Sequence, residues 1–362
     1  RLSSRRRNQI CWKTVAASVL LFLAGTGLGA AGWAFVGPKA ASTNPETLLP
    51  AVDSGPEPIA TLPVLSGAVW SVALNAEGTT LVAGSENGRI SVWDAREQKL
   101  KFDLHPPKDD TQNAHKGPVW AVDITADGKT VVSASDDGSV KTWDLATSKE
   151  TSSLPLGTPI RAAAVSPSGK LVVVGDRFGT VRVFDIGESK VVMEYQQEST
   201  VNGVAFSPDE KTIASVSTDG TVVIRELASK SKRYTLTGHR TPIYGLGFSK
   251  DGSRLATASW DDHVVVWDLN TGTQKVRFPT HDEGVWGVQF TPCGDYLATV
   301  GQDGVTKFWS ADGTLMGDFH RHKGVVHALR FSADGHTLAT AGRDGTVRIW
   351  DIAACAKNKG KK

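Results

Sequence analysis

The sequence predicts an all-β protein, a seven-bladed β-propeller closed by an N-terminal strand and preceded by one transmembrane α-helix. A pattern centred on Trp recurs seven times at nearly constant spacing, and one long apolar run lies near the N-terminus. The 362 residues include 37 Gly and 11 Trp but only 2 Met, and Val- and Thr-rich runs are separated by Asp–Gly pairs. This composition is typical of short strands joined by tight turns.

Five regions follow one another along the chain. They are a basic cytoplasmic tail (1–14), a transmembrane helix (15–36), a Pro- and Ala-rich linker (37–57), the propeller (58–355) and a basic C-terminal tail (356–362). The net charge of +2 conceals this division, because the two tails carry the excess of Lys and Arg and leave the propeller mildly acidic. An acidic surface does not attract phosphates, so nucleic acid is not an expected partner.

The apolar run from Val15 to Val36 has 22 residues and no charge, which is long enough to span a bilayer. The basic residues before it predict a cytoplasmic N-terminus and an exported propeller, in a bacterial periplasm or, by the same rule, an organelle lumen. Gly25 and Gly29 form a GxxxG pair that suits helix packing, although small residues also occur in such helices without that role. The alternative is a cleaved twin-arginine signal at 4–7, but the apolar run exceeds a usual signal core, so a retained anchor is favoured.

The seven repeats are in phase. The central residue of the pattern is Trp or its replacement, at Trp93, Trp143, Phe184, Arg225, Trp267, Trp309 and Trp350. The intervals are 50, 41, 41, 42, 42 and 41 residues, and an insertion around 106–110 accounts for the long one. Each unit holds strand-length apolar runs separated by turn pairs such as Asp251–Gly252, which predicts four strands per blade.

These residues resemble the WD-repeat family over residues 58–352. The resemblance implies a buried hydrogen-bond tetrad of His, Ser or Thr, Asp and Trp in each typical blade. Blades two, five, six and seven have all four residue types at the expected offsets: His115, Ser133, Asp137 and Trp143; His239, Thr257, Asp261 and Trp267; His281, Thr299, Asp303 and Trp309; His322, Thr340, Asp344 and Trp350. We therefore expect these His–Asp pairs to be structural and not catalytic.

Three blades depart from the tetrad. Leu65, Leu156 and Gln197 stand at the His positions of blades one, three and four, and Phe178 replaces the Asp of blade three. We expect these blades to be locally looser. The family also implies that residues 58–65 supply the outer strand that blade seven lacks, which removes both free sheet edges.

The start of each innermost strand lies beside the mouth of the central channel. The residues at this position, with two from the adjacent turns, form the predicted partner-binding set: Trp70, Trp120, Arg161, Asn202, Tyr244, Trp286 and His327, and Trp260 and Arg343. An exposed ring of this composition is typical of interaction surfaces, and WD-repeat proteins resemble one another in using this face for peptides and protein loops. The alternative is that these side chains only fill the channel mouth.

The sequence gives little support to a catalytic function. His281–Asp282–Glu283 and the group His320, His322 and His327 could suggest a metal or acid–base site, but the tetrad pattern accounts for two of these histidines. No metal, cofactor or small-molecule ligand is expected. Whether Cys293 and Cys355 pair stays open.

Two classes of function remain. The first is a non-catalytic scaffold or accessory subunit of a membrane complex, which binds proteins on the exported side. The second is an exported propeller enzyme, such as a channel-sited hydrolase or metal enzyme, or a ligand-binding sensor that uses the channel. A further alternative is the sensor part of a longer receptor-like protein.

Overall fold

The structure is a computed structural model that describes residues 57–64, 67–105 and 113–352. All 28 regular elements in these residues are β-strands, and they form seven four-stranded sheets. The predicted all-β, seven-bladed propeller is therefore confirmed. Among the described residues, no helix combines the length and the apolarity needed to span a membrane. The predicted helix 15–36, with Gly25 and Gly29, lies outside the described residues, as do both tails, residues 37–56 of the linker and Cys355.

The first three blades use consecutive strands. They are β2 (Val69–Leu74), β3 (Thr80–Ser85), β4 (Ile90–Asp94) and β5 (Lys99–Asp103) in blade one; β6 (Val119–Ile124), β7 (Thr130–Ser135), β8 (Ser139–Asp144) and β9 (Lys149–Pro155) in blade two; and β10 (Ile160–Val165), β11 (Leu171–Asp176), β12 (Thr180–Asp185) and β13 (Lys190–Gln196) in blade three.

Blades four to six repeat this order. They contain β14 (Val201–Phe206), β15 (Thr212–Ser217), β16 (Thr221–Glu226) and β17 (Lys232–Thr237); β18 (Ile243–Phe248), β19 (Arg254–Ser259), β20 (His263–Asp268) and β21 (Thr273–Pro279); and β22 (Val285–Phe290), β23 (Tyr296–Gly301), β24 (Val305–Ser310) and β25 (Leu315–His320).

Blade seven is assembled from both ends of the described chain. Its strands are β26 (Val326–Phe331), β27 (Thr337–Gly342), β28 (Thr346–Asp351) and β1 (Ala60–Pro63). β1 pairs antiparallel with β28, with Ala60 opposite Ile349 and Pro63 opposite Thr346. The predicted closure of blade seven by an N-terminal strand is thus confirmed.

The ring is closed because the innermost strands of neighbouring blades pack side by side, and β26 packs beside β2 in the same way. Two further contacts hold the residues around β1 in place at the seam, where blade seven meets blade one. The Val64 amide donates to the Gly345 carbonyl at 2.9 Å, and Arg321 pairs with Glu57 at 2.9 Å. Blade seven therefore has four strands like the other blades, and the edge of β28 is paired.

The core lies between the blades and not within one layer. Five successive residues of β7 are buried, because a neighbouring blade covers each face of this sheet. The outer strand β9 instead alternates between exposed and half-buried residues. Between blades one and two, Val82, Val119 and Trp143 belong to one apolar cluster, and Trp143 is fully buried.

A β-bulge occurs at the second residue of the innermost strand in every blade. The residues that the ladder skips are Trp70, Trp120, Arg161, Asn202, Tyr244, Trp286 and His327. A bulge bends the strand and redirects the side chain of the extra residue. The fold therefore presents these seven side chains at one level of the channel.

The closing strand gives the first testable prediction. Leu62 is 2% exposed and packs among Val347 and Ile349, so Leu62→Asp should bury an unpaired charge and lower the free energy of unfolding by about 3 kcal/mol or more. Thr61 is exposed on the same strand, and the control Thr61→Asp should change stability by roughly 0.5 kcal/mol at most. Chemical denaturation measures both, and equal effects of the two substitutions would contradict the role of β1.

Candidate functional site

The tetrad of blade five is a continuous hydrogen-bond chain. The indole N–H of Trp267 donates to Thr257 Oγ1 at 2.9 Å, and this hydroxyl lies 2.8 Å from Nε2 of His239. Nδ1 of His239 lies 3.1 Å from Asp261 Oδ2. With the hydroxyl donating to Nε2, the imidazole carries its proton on Nδ1 and donates it to the carboxylate. Every polar group of the buried set is thereby paired.

The other three complete tetrads have the same arrangement. The His–hydroxyl, Trp–hydroxyl and shorter His–carboxylate distances lie between 2.8 and 3.1 Å in the sets His115, Ser133, Asp137 and Trp143; His281, Thr299, Asp303 and Trp309; and His322, Thr340, Asp344 and Trp350. Hydrogen bonds from the imidazole help to lower the pKa of each Asp, against the opposing effect of burial. These histidines are occupied in holding the blades together and cannot serve as free bases.

Blade three replaces the whole tetrad by apolar residues. Val174 and Phe184 stand at the hydroxyl and Trp positions, and both are buried in one cluster against which Leu156 packs. Because the replacement is complete, it leaves no unpaired polar group at these positions. Our expectation of looser packing is not supported in this blade. Phe178, at the Asp position, is instead 65% exposed.

Blade four uses a substitute that the sequence analysis missed. The phenol of Tyr195, on β13, donates to Ser215 Oγ at 3.0 Å, and the Arg225 guanidinium lies 4.4 Å from the centre of its ring. Burial raises the pKa of Tyr195 to about 12. The sequence contained a signal for this substitute. Arg225 replaces the Trp of blade four, and the hydroxyl of that blade, Ser215, is the group that Tyr195 contacts.

Two departures leave polar groups without partners. In blade one, Ala83 stands at the hydroxyl position, and the indole N–H of Trp93 has no hydrogen-bond partner among the described residues. In blade four, the buried amide of Gln197 likewise has none. An unpaired buried group costs about 1–3 kcal/mol, so these two blades carry a local penalty that the complete tetrads avoid.

Six aromatic side chains from five blades meet at the channel mouth. This aromatic cluster consists of Trp70, Trp120, Tyr244, Trp260, Trp286 and His327. The ring of Trp70 lies 4.4 Å from Trp120 and 4.1 Å from His327, between ring centres. Trp70 also lies 6.4 Å from Trp286, although their blades are not neighbours. Such a contact requires both side chains to reach into the channel.

The outer edge of the aromatic cluster is Trp260, on the turn between β19 and β20. Its ring centre lies 5.7 Å from that of Trp286 and 5.6 Å from that of Tyr244. Gly284 allows this position, because a Cβ there would lie 2.9 Å from the indole. Trp260 is 41% exposed, which makes it the most accessible member of the cluster.

The expectation of an exposed aromatic ring is wrong for most of the predicted residues. Trp70, Trp120, Tyr244 and Trp286 are half-buried and His327 is buried, because the side chains converge in a narrow space and cover one another. Asn202 donates to Thr218 Oγ1 at 3.1 Å and to the Ile243 carbonyl at 3.0 Å, so it ties blade four to blade five. Arg343 is exposed and lies outside the aromatic cluster.

Arg161 joins the aromatic cluster from blade three. Its guanidinium lies 4.1 Å from the ring centre of Trp120, and its Nε lies 3.7 Å from Asp136 Oδ1. The same carboxylate oxygen accepts the indole N–H of Trp120 at 3.3 Å. Burial lowers the pKa of Arg161 from its ordinary value, although the Asp136 carboxylate opposes this shift.

The candidate metal-binding histidines do not converge. His322 belongs to a tetrad, His327 lies at the channel mouth, and His320 pairs with Asp318 on β25 at 3.2 Å. Across residues 57–64, 67–105 and 113–352, no group of three or more His, Cys, Asp or Glu side chains could hold a metal ion. Cys293 is exposed in the turn between β22 and β23.

Seven radial four-stranded sheets, tetrads and a strand-completed last blade define a WD-repeat β-propeller. Comparison with family models agrees with this class: the model described as the IFT122 first β-propeller matches residues 68–320, and the model of the WD domain, G-beta repeat, matches residues 313–351. The first match spans well over half of the chain, which therefore belongs to this propeller family. No curated protein sequence matches the chain.

His327 gives a prediction about pH. Its Nδ1–H donates to the Val69 carbonyl at 3.0 Å, and burial lowers its pKa to about 4, with Arg343 adding to the shift. The unfolded chain, whose histidines have a pKa near 6.5, therefore binds more protons than the folded one between pH 6.5 and 4. Stability from the neutral imidazole is full above pH 6.5 and falls as the pH drops through this window, by about 3 kcal/mol.

The substitution His327→Phe keeps a ring that can stack on Trp70 and removes the titration. Its unfolding free energy, measured by chemical denaturation at pH 7, 6 and 5, should depend less on pH than that of the wild type. An unchanged pH slope in His327→Phe would contradict the assigned environment of this imidazole.

Proposed function

We propose that the chain is a non-catalytic scaffold or accessory subunit that holds a partner protein at the aromatic cluster. A WD-repeat propeller suggests a protein–protein interaction scaffold in general. The observation that carries the specific proposal is Trp260, a tryptophan 41% exposed at the edge of five other aromatic rings. Tryptophan is one of the residue types enriched among those that contribute most binding energy in protein interfaces, and a partner could bury Trp260 against the other rings.

Trp70, which is linked to Trp260 through the ring of Trp286, adds a polar feature. Its indole N–H is buried and has no hydrogen-bond partner among the described residues. A small side-chain rearrangement within the aromatic cluster would let a partner's backbone carbonyl accept this N–H and remove the penalty of an unpaired donor. After such a rearrangement, the cluster would offer a partner both apolar area and a donor, the combination that protein interfaces use.

A partner protein fits this site better than a small ligand inside the channel. Ring centres 4.1 to 4.6 Å apart leave no room for a ligand between the rings that they join. The accessible part of the site is its outer edge around Trp260, which suits a protruding loop of another protein. The tetrad histidines, as members of satisfied hydrogen-bond chains, offer no acid–base machinery to a bound molecule.

We further propose that residues 15–36 anchor the propeller to a membrane and that the partner belongs to a membrane complex on the exported side. The support is the uncharged run of 22 residues and the basic residues before it. As a flexible chain, the linker 37–57 would span on the order of 25 Å. Such a tether would keep the propeller near the membrane surface, facing a bacterial periplasm or an organelle lumen.

The test is purification of the tagged full-length protein from native membranes in mild detergent, followed by mass spectrometry. We expect a stoichiometric set of membrane proteins to accompany the wild type. Trp260→Ala should reduce their recovery at least tenfold, as expected for loss of about 1.4 kcal/mol or more at an interface centre.

The matched control is Val191→Ala, which truncates a side chain 43% exposed on the outer strand β13, outside the aromatic cluster. It should leave recovery unchanged. A protein that purifies alone, or partners that are retained equally by Trp260→Ala, would overturn the proposed function.

A further inference from the structure

Blade three supplies the part of the channel mouth that is charged and not aromatic. Arg161 reaches the aromatic cluster from this blade, and its Nε is buried without a hydrogen-bond partner among the described residues. The nearest carboxylate, that of Asp136, lies 3.7 Å away, beyond hydrogen-bond length. That oxygen already accepts the Trp120 indole N–H. The guanidinium thus has donors that its own carboxylate does not satisfy.

A second arginine lies next to the first. Arg177 stands on the turn between β11 and β12, and its backbone N–H donates to the Pro159 carbonyl at 2.9 Å, which holds the turn beside the start of β10. Its positive charge is close enough to lower the pKa of Arg161 further. Its side chain is exposed, and it forms no ion pair with any residue in the described part of the chain. Arg177 therefore adds a second positive charge near Arg161 that no carboxylate in the described part of the chain pairs with.

Phe178 follows Arg177 on the same turn and is 65% exposed. Its backbone is fixed, because the Phe178 N–H donates to Asp176 Oδ1 at 2.9 Å and its carbonyl accepts from the Gln196 side chain at 2.6 Å. In complete tetrads this position holds the Asp that pairs with His. Blade three lacks the His–Asp pair, and at the Asp position it exposes a large apolar side chain to solvent.

We infer that Arg161, Arg177 and Phe178 form an acidic-residue subsite, in which the carboxylate of an Asp or Glu on the partner protein binds the two guanidiniums. An apolar side chain next to that acid packs on Phe178. Guanidinium groups bind carboxylates through charge-assisted and often bidentate hydrogen bonds, and the excess of positive charge here selects an anion. The inference rests on the proposed function, since it names the chemistry of the segment bound at this face.

The acidic-residue subsite and the aromatic cluster are close enough for one segment to occupy both. Arg161 stacks on Trp120, a member of the aromatic cluster. Trp120 is linked to Trp260 through the rings of Trp70 and Trp286. A bound loop could therefore place an acid between the arginines and an apolar residue against Trp260. The two sites together predict that the partner carries a short motif, in which one acidic residue binds the arginines and one apolar residue packs against Trp260.

The test selects binders from a phage library of random dodecapeptides, with detergent-solubilised full-length protein as the target. Panning on Trp260→Ala in parallel identifies the peptides that depend on the aromatic cluster. We expect these peptides to be enriched in Asp or Glu next to an apolar residue. In the best binder, Asp→Asn or Glu→Gln should weaken the dissociation constant at least about tenfold with the wild type and less than about twofold with Arg161→Gln.

Arg177→Gln changes an exposed side chain and provides the second variant if Arg161→Gln fails to fold. Arg96→Gln, at an exposed arginine on the turn between β4 and β5, is the matched control and should keep the full preference for the acid. Cluster-dependent peptides that are neutral or basic, or an acid preference that survives both Arg161→Gln and Arg177→Gln, would overturn the inference and leave the proposed function standing. Absence of any cluster-dependent peptide would overturn the inference as well, while recovery of partners from membranes tests the proposed function separately.

Discussion

The pairing of β1 with β28 is the constraint on which the rest of the structure depends. A propeller blade packs only against its two neighbours, so the ring has a defined geometry only when the last blade is complete and joined to the first. Here a strand from the N-terminal end of the described chain completes the last blade, and Leu62 packs between the two ends of the ring. Without this strand, blade seven would expose the edge of β28.

The aromatic cluster crosses this seam. His327, from blade seven, donates to the Val69 carbonyl of blade one and stacks on Trp70, which also contacts Trp120 and Trp286. Closure of the ring and construction of the binding face are therefore parts of one arrangement. A defect in the closing strand would disturb the site at the channel mouth as well as the stability of blade seven.

The division between structural and functional positions follows from the repeat. The tetrads lie between blades, where satisfied hydrogen bonds keep buried polar groups paired. The bulge in each innermost strand repeats one backbone geometry seven times, yet its side chains range from Trp to Arg and Asn. A constant backbone can thus present a surface of variable side chains. Both the aromatic cluster and the acidic-residue subsite belong to that surface.

Sequence reasoning predicted the features that recur at a fixed spacing along the chain. The seven blades, the strand that completes the last one and the offsets of the tetrad residues all follow from one spacing near 41 residues. Sequence reasoning failed where a contact joins residues of different blades that do not stand at equivalent positions of the repeat or do not come from neighbouring blades. Tyr195 comes from the outer strand of one blade and reaches Ser215 of the next, and Trp70 meets Trp286 across the channel. It also overestimated exposure, because convergence of the rings in a confined space depends on three-dimensional geometry that spacing does not contain.

The central claim is that a partner protein is held at the aromatic cluster, and site-specific photocrosslinking in native membranes tests it most directly. Trp260 and, in a parallel sample, Val191 would each be replaced by benzoylphenylalanine, which captures whatever lies within a few ångströms of the side chain. The account predicts one discrete crosslinked protein from position 260 and none from position 191. Crosslinking from position 191 alone, or none from position 260 in a correctly folded and anchored protein, would contradict it.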